Sequence, residues 1–412
     1  MTYDLIVIGA GAGGCFTAIR LAEFYPGARI CILEAARKPL SKVEISGGGR
    51  CNVTHACFDP DTLTEYYPRG SNELLSPFQE FHPGHLIDWF RSKGVKLKTE
   101  EDGRVFPVTD RSSTIIDCFL REMQKHKIEL RLATRVADFN FEKEHSYWNV
   151  KLFDGQELRS QNILIASGSD DRTWKALKEH GHHIISLVPS LFTFNIKLKE
   201  LTELMGVSKS NVSLSIPSIK LESQGPLLIT HWGMSGPAIL KLSAWGAREL
   251  SDCGYVFDLQ VNWTGSKNPD AFMNMLNEQI IQNPKRQINK LVVKDIPARL
   301  WKYLCDRAQI PEFMSGAEFG RKPLTRLTSV LTIDIYRVTG KSTFKEEFVT
   351  AGGVDLADID MAKFESKIQP GLFLVGEVLN IDAITGGFNF QAAWTGAHMA
   401  ARGISEKLKD KS

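Results

Sequence analysis

Gly9, Gly11 and Gly14 follow the apolar run Asp4-Leu-Ile-Val-Ile8, and Glu34 ends the next apolar run, Ile30-Cys-Ile-Leu33. That is the order of a dinucleotide-binding βαβ unit: strand, glycine turn, helix, second strand, acid. Gly9 permits the tight turn, Gly11 lets the main chain approach a pyrophosphate, and Gly14 lets the helix expected at Cys15 to Ala22 pack closely on the strand. The helix N-terminus then directs free amides at the phosphates. Glu34, about 20 residues after the glycines, is placed to accept hydrogen bonds from a ribose. Two other side chains are candidates for chemistry. Arg50 can balance negative charge on a bound group or grip an anionic substrate, unless it is a solvated surface arginine. His231 can act as an acid or base near neutral pH, or be a packed histidine at a domain interface.

A second constellation lies near the C terminus. Pro370-Gly-Leu-Phe-Leu-Val-Gly-Glu377 reads as a turn, a buried strand and a glycine exit. Gly386-Gly-Phe-Asn-Phe-Gln391 then opens a helix of small residues, which can press its backbone against the first βαβ unit and point its N-terminus into the same crevice. Such an N-terminus stabilises the charge of a reduced flavin. Asp382, in the preceding loop, can bind ribityl or pyrophosphate-side hydroxyls.

The elements between these motifs are coarser. Ser46-Gly-Gly-Gly-Arg-Cys-Asn52 is too glycine-rich for helix or strand and reads as a loop. A helix is expected over Thr114 to Lys125 and a strand over Glu129 to Val136. Tyr147 to Phe153 and Glu157 to Ala166 flank Asp154-Gly155, a hairpin signal, and the second run ends in Ala166-Ser-Gly168. Short β-like runs follow from Leu191 to Val261, including separate runs at Ile219 to Glu222 and Pro226 to Ile229. Residues 269–328 are helical in period, and a return strand is expected near Leu331 to Ile335. Gly340-Lys-Ser342 lacks the first glycine of a P-loop and is set aside.

The chain has 412 residues and a net charge of +2, which allows two or three domains and gives no overall basic character that would argue for nucleic acid. Seven cysteines at irregular spacings fit reduced thiols, with no metal site. Met1 leads directly into the first strand, and no apolar run reaches the about 18 residues of a membrane span, so a cytoplasmic protein is expected.

Together these motifs, with Thr230-His-Trp-Gly-Met-Ser-Gly-Pro237 and Thr350-Ala-Gly-Gly-Val354, resemble the BaiN-like bacterial flavoproteins, NAD(P)/FAD-dependent oxidoreductases or aminoacetone oxidase-like proteins, in the same order from residue 3 to about 403. The resemblance implies an α/β fold. A Rossmann-like FAD-binding domain of the glutathione-reductase type (1–189 and 330–412) is interrupted by an antiparallel β-barrel-like domain (190–265) and a small helical domain (266–329). By position, Gly9, Gly11, Ala12, Gly13 and Gly14 would hold the pyrophosphate, Glu34 and Ala35 the ribose, and Val136 the adenine. Lys42, Gly48, Gly49, Arg50, Cys51, Asn52, Ala166, Ser167, Gly168, Gly376, Glu377, Asp382, Gly387, Phe388, Asn389 and Gln391 would surround the rest of the FAD. Asn380 and Ala383 stand where such families often show Asp and Gly, a departure in the loop after Gly376-Glu377.

The implied activity is hydride transfer between flavin N5 and a small organic substrate or NAD(P)H. No second dinucleotide fingerprint is present, so NAD(P)H binds transiently over the flavin, or the substrate reduces the flavin and oxygen or a carrier reoxidises it. An oxidase of an amine or amino-ketone is the alternative. A non-catalytic flavoprotein and an RNA-modifying flavoprotein, which would need an unusually basic insert, rank below both. Cys51 and Cys57 are spaced C-x5-C and not C-x4-C, so no redox disulfide is expected. Trp232, Trp394 and Phe388 are aromatic candidates to wall the ring. No nucleic-acid or membrane partner is expected, and the oligomeric state stays open.

Overall fold

A computed structural model of the chain describes residues 2–266, 268–342 and 349–410. They fall into two compact units, Met1–Val188 with Val349–Ser412, and Pro189–Phe348.

The first unit is built on a mixed sheet whose centre is parallel. β1 (Thr2–Ile8) lies between β2 (Ile30–Leu33) and the strand Glu157–Ile165, and the strands Glu129–Arg131 and Leu372–Leu374 flank these on either side. Leu5, Ile6 and Val7 have no solvent exposure, as a strand covered on both faces requires. α1 spans Ala12–Phe24, longer at both ends than the periodicity suggested. Its Phe16 ring meets Trp394 edge-on at 5.5 Å, and an added Cβ at Gly13 would lie 3.8 Å from the Ala393 carbonyl oxygen. The Phe388–Asp410 helix therefore packs directly on the βαβ unit through its small residues.

Sequence and structure part in two places here. The strand expected over Glu129 to Val136 breaks after Arg131, because Ala133 takes a left-handed turn (φ 51°) that hands its N–H to Ala36 and the Thr134 N–H to Glu34. Val136 then begins an antiparallel hairpin strand facing Tyr147–Leu152. The glycine segment does turn at Gly47 and Gly48 (φ 59° and 67°), but the turn interrupts a helix that begins at Ser41.

The second unit has a seven-stranded antiparallel sheet with three longer helices, Asp270–Gln282, Ala298–Arg307 and Arg321–Thr332. Leu221, Glu222 and Pro226 to Ile229 belong to one strand, Leu221–Ile229, whereas Ile219 closes a 3-10 turn before it; the partner strand bulges between Lys209 and Val212, and Pro226, which has no N–H to give, lies opposite that bulge. The expected return to the first domain at residue 330 is also displaced. Asp334–Val338 pairs along Phe257–Asn262, and Gly340–Ser342 pairs with Thr193–Asn195, so the chain remains in the second unit beyond 330. These two strands end the pairing path at opposite edges yet are joined only by Thr339, which curls the sheet back on itself. Sheet and helices share one core around Trp263 and Trp301, so 190–265 and 266–329 are one packed body. Among the described residues no helix is long and apolar enough to cross a membrane.

Candidate functional site

The turn after β1 is a cradle made of main chain. Gly9 has φ 107°, and a Cβ there would lie 2.5 Å from the Ala166 carbonyl oxygen; a Cβ on Gly14 would overlap the carbonyl oxygen of Gly9. These two glycines are demanded by the protein itself. Gly11 is different. It caps α1 in extended conformation (φ −81°), and a Cβ there would meet nothing closer than 3.9 Å. No helix residue side chain caps α1, so its first amides are free for an anion.

Glu34 extends the cradle. Its carboxylate accepts from the Ala10 N–H at 2.7 Å and the Ala36 N–H at 2.8 Å. These bonds fix both oxygens, and each keeps lone pairs for a ribose hydroxyl. On the other side of the turn, Ala166-Ser-Gly168 follows the Glu157–Ile165 strand, and the Ser167 hydroxyl is buried without a partner among the described residues. The Asn52 carbonyl oxygen is orphaned in the same way, beside the position a Gly387 Cβ would occupy. Unsatisfied buried polar atoms are costly and rare, so their presence along a glycine cradle fits a bound dinucleotide with hydroxyl-rich arms.

Lys42 and Glu377 form an ion pair, and the other Glu377 oxygen accepts from the Thr350 N–H at 3.0 Å. An added Cβ at Gly168 would have the Glu377 carboxylate as its nearest neighbour, at 3.8 Å. Residues 42, 168, 350 and 377 thus gather at one place. In the Phe388–Asp410 helix the first intrahelical bond runs from the Gln391 N–H to the Gly387 carbonyl at 3.0 Å, which leaves the amides before it without intrahelical acceptors.

Several expected contact residues are occupied elsewhere. Asp382 has no exposure and is bound bidentately by Arg69. Gln391, also wholly buried, accepts from Thr54 at 2.6 Å and donates to Thr395 at 3.0 Å, so its amide ties helix to strand and does not face the crevice. Asn389 exchanges two hydrogen bonds with Ala383 and pins the loop. Phe388 is buried against Tyr66 at 4.3 Å and His55 at 4.5 Å; Trp394 is buried and donates to the Val53 carbonyl. Neither is an aromatic wall.

Arg50 stacks on Phe106 at 4.0 Å and pairs with Glu100 at 2.6 Å and Asp110 at 3.5 Å. Its charge is already matched. Cys51 is fully buried at φ 61°, and burial pushes its thiol up to about 12, which suits an inert thiol. Cys57 is likewise a free thiol. His231 belongs to the second unit, at the tip of the turn between Leu221–Ile229 and Gly233–Ser235, where its exposed ring lies 4.3 Å from Trp232.

Sequence reasoning named Ser167 but passed over Arg69 and His55. Ser167 carried a signal, since it follows a buried strand in a small-residue turn. Arg69 carried none, because only the fold brings it to Asp382.

The chain matches the family model described as the HI0933-like protein Rossmann domain over residues 3–403. It is 27% identical over 98% of both chains to a protein of Escherichia coli named ribosomal RNA dihydrouridine synthase, and 24% identical, again over 98% of both, to one so named from Haemophilus influenzae. A 3-dehydro-bile acid delta(4,6)-reductase of Clostridium scindens is 23% identical over 97% of this chain and 98% of its own. Among solved structures, 3-ketosteroid delta1-dehydrogenase of Sterolibacterium denitrificans superposes with a TM-score of 0.52 at 12% identity, covering 98% of this chain and 100% of that one, a likeness of fold. With a dinucleotide cradle in place and a family match over nearly its whole length, the chain belongs to the HI0933-like Rossmann proteins and is an FAD-dependent oxidoreductase.

Proposed function

We propose that the protein reduces a carbon–carbon double bond conjugated to a carbonyl, and that its substrate is uridine in ribosomal RNA. The observation that carries this reading is the end-to-end similarity, 98% of both chains, to two proteins named for making dihydrouridine. The Clostridium relative is named for a different molecule but the same bond chemistry: double bonds conjugated to the 3-oxo group of a steroid. In both cases a hydride adds to one alkene carbon and a proton to another carbon of the conjugated system, with the carbonyl as electron sink. This substrate departs from the small organic molecule that the family resemblance implies and from the absence of a nucleic-acid partner expected from net charge.

FAD, where these residues hold it, would supply the hydride chemistry, with a reduced pyridine nucleotide as the source of the two electrons. Gly11, in the turn that Gly9 and Gly14 shape, would admit the pyrophosphate, Glu34 would orient the ribose, and Ser167 and Asn52 offer side-chain oxygens that have no partner among the described residues. Because Arg50 is neutralised by Glu100 and Asp110, compensation for negative charge on the cofactor falls to the free amides at the start of the Phe388–Asp410 helix.

The test is incubation of the FAD-loaded protein with NADPH and unmodified ribosomal RNA transcripts, followed by nuclease digestion and mass spectrometry for dihydrouridine. RNA-dependent NADPH oxidation with dihydrouridine in the digest is expected. NADPH oxidation driven by a 3-oxo-Δ4,6-steroid and not by RNA would replace this reading with that of the Clostridium relative.

A further inference from the structure

Charge is divided unevenly along the chain. Residues 189–348 carry 20 Lys+Arg against 15 Asp+Glu, whereas the remainder carries 30 against 33. The excess is densest between Pro284 and Lys294, where Lys285, Arg286, Lys290 and Lys294 are all exposed. The ion pairs of this unit among the described residues are Lys199–Glu203, Arg307–Asp334 and Arg337–Asp258, and none uses these four cations.

The main chain gathers them. Arg286 Nε donates to the Lys290 carbonyl at 3.0 Å, the Ile288 N–H to the Met314 carbonyl at 3.0 Å, and the Gly316 N–H to the Arg286 carbonyl at 3.0 Å. The last two bonds lay the segment 313–316 beside the basic one and put Phe313, 74% exposed, next to it. Val292, 72% exposed, lies within the basic segment itself.

Resting on the reading of RNA as substrate, we propose that Lys285, Arg286 and Lys290 with Phe313 form the surface on which the RNA docks. Unpaired cations held close together repel one another, and a polyphosphate chain relieves that repulsion while releasing its own counterions. An aromatic ring left in water beside them gives an unpaired base a face to stack on. Single-stranded RNA offers both groups at once; an acidic protein surface would answer the cations alone.

The experiment uses the full-length, FAD-loaded protein, its K285E/R286E/K290E triple variant, its K285A/K290A double variant and its Phe313→Ala variant, in filter binding to ribosomal RNA transcripts across a salt series. The triple variant should bind at least ~100-fold more weakly, and its salt dependence should flatten by about two units of log–log slope, as three lost phosphate contacts require. Phe313→Ala should cost about tenfold, in line with one lost stacked base. FAD content, visible spectrum and melting temperature should match wild type in all variants. If the triple variant melts early, the milder alanine pair carries the same test. Wild-type affinity in the charge variants, with tight RNA binding by the parent, overturns the surface and leaves the substrate reading intact. A parent protein that neither binds RNA nor makes dihydrouridine overturns the reading, and the surface with it. Variants that lose binding to whole ribosomal particles but not to naked RNA would assign the patch to a protein partner and overturn it.

Discussion

The cradle at Gly9–Gly14 and the loop at Asn380–Gln391 are both rich in signature residues, yet they are built in opposite ways. The first is made of main chain. Gly9 and Gly14 are required by contacts a few residues away or with the turn after the adjacent strand, and its one acid is held by the amides of Ala10 and Ala36. The second is made of side chains satisfied from a distance: Asp382 by Arg69, Gln391 by Thr54, Phe388 by Tyr66 and His55. A residue in the cradle leaves room for a ligand, whereas a polar residue in the loop is mostly spent on the protein.

The largest effects should come from breaking each region at its tightest point. Arg69→Ala removes the guanidinium bound to the Asp382 carboxylate in a site with no exposure and should destabilise the apoprotein by about 3–5 kcal/mol, read as a fall in urea midpoint. Gly14→Ala drives a Cβ into the Gly9 carbonyl and should cost about 3 kcal/mol or leave the protein insoluble. Asp382→Asn should be milder than Arg69→Ala, because it removes the buried charge together with its need for a partner.

Acid should act through the back of the cofactor domain. His398, against Phe81 and Phe24 and near Arg20 and Arg402, is pushed down to about 3, chiefly by burial and then by those two cations. The folded state therefore binds its proton less readily than the unfolded chain. The stability it contributes is complete above the unfolded value of about 6.5 and is lost as pH falls towards 3, by at most about 1.4 kcal/mol per pH unit. His398→Phe should flatten the pH dependence of thermal midpoint between 6 and 4; an unchanged slope would assign the acid lability elsewhere.

Smaller effects separate the two regions most clearly. Gln391→Ala leaves Thr54 and Thr395 short of partners and should cost about 1–3 kcal/mol of stability, with FAD affinity in the surviving folded protein near wild type. Glu34→Ala should do the reverse: about tenfold weaker FAD binding with a stability change near 1 kcal/mol, since ribose bonds are lost while the phosphate contacts remain. Isothermal titration of apoprotein with FAD, alongside thermal melts, measures both.

The same contrast explains what could be read from the amino-acid sequence. Parallel strands and glycine turns follow from short-range rules, so β1, α1, β2 and the hairpin at Asp154-Gly155 lie where periodicity and turn chemistry put them. The partner of Asp382 is 313 residues away and left no mark near it. In the second unit, Pro226 read as a break because the bulge that tolerates it belongs to another strand. Residues after 330 read as a return to the first domain because apolar strands look alike whichever sheet they join. Net charge is coarse for a related reason: +2 overall averages over an excess of five positive charges in residues 189–348.

Gly11 gives the most direct test, because it is the one glycine of the turn that the protein does not itself require. The Gly11→Ala apoprotein should melt within about 1 °C of wild type, the shift expected for a change of a few tenths of a kcal/mol. It should nonetheless bind FAD at least ~100-fold more weakly by flavin fluorescence titration, because the new methyl group occupies the approach of the pyrophosphate. A Gly11→Ala protein that takes up FAD with wild-type affinity would contradict the placement of the cofactor in this cradle.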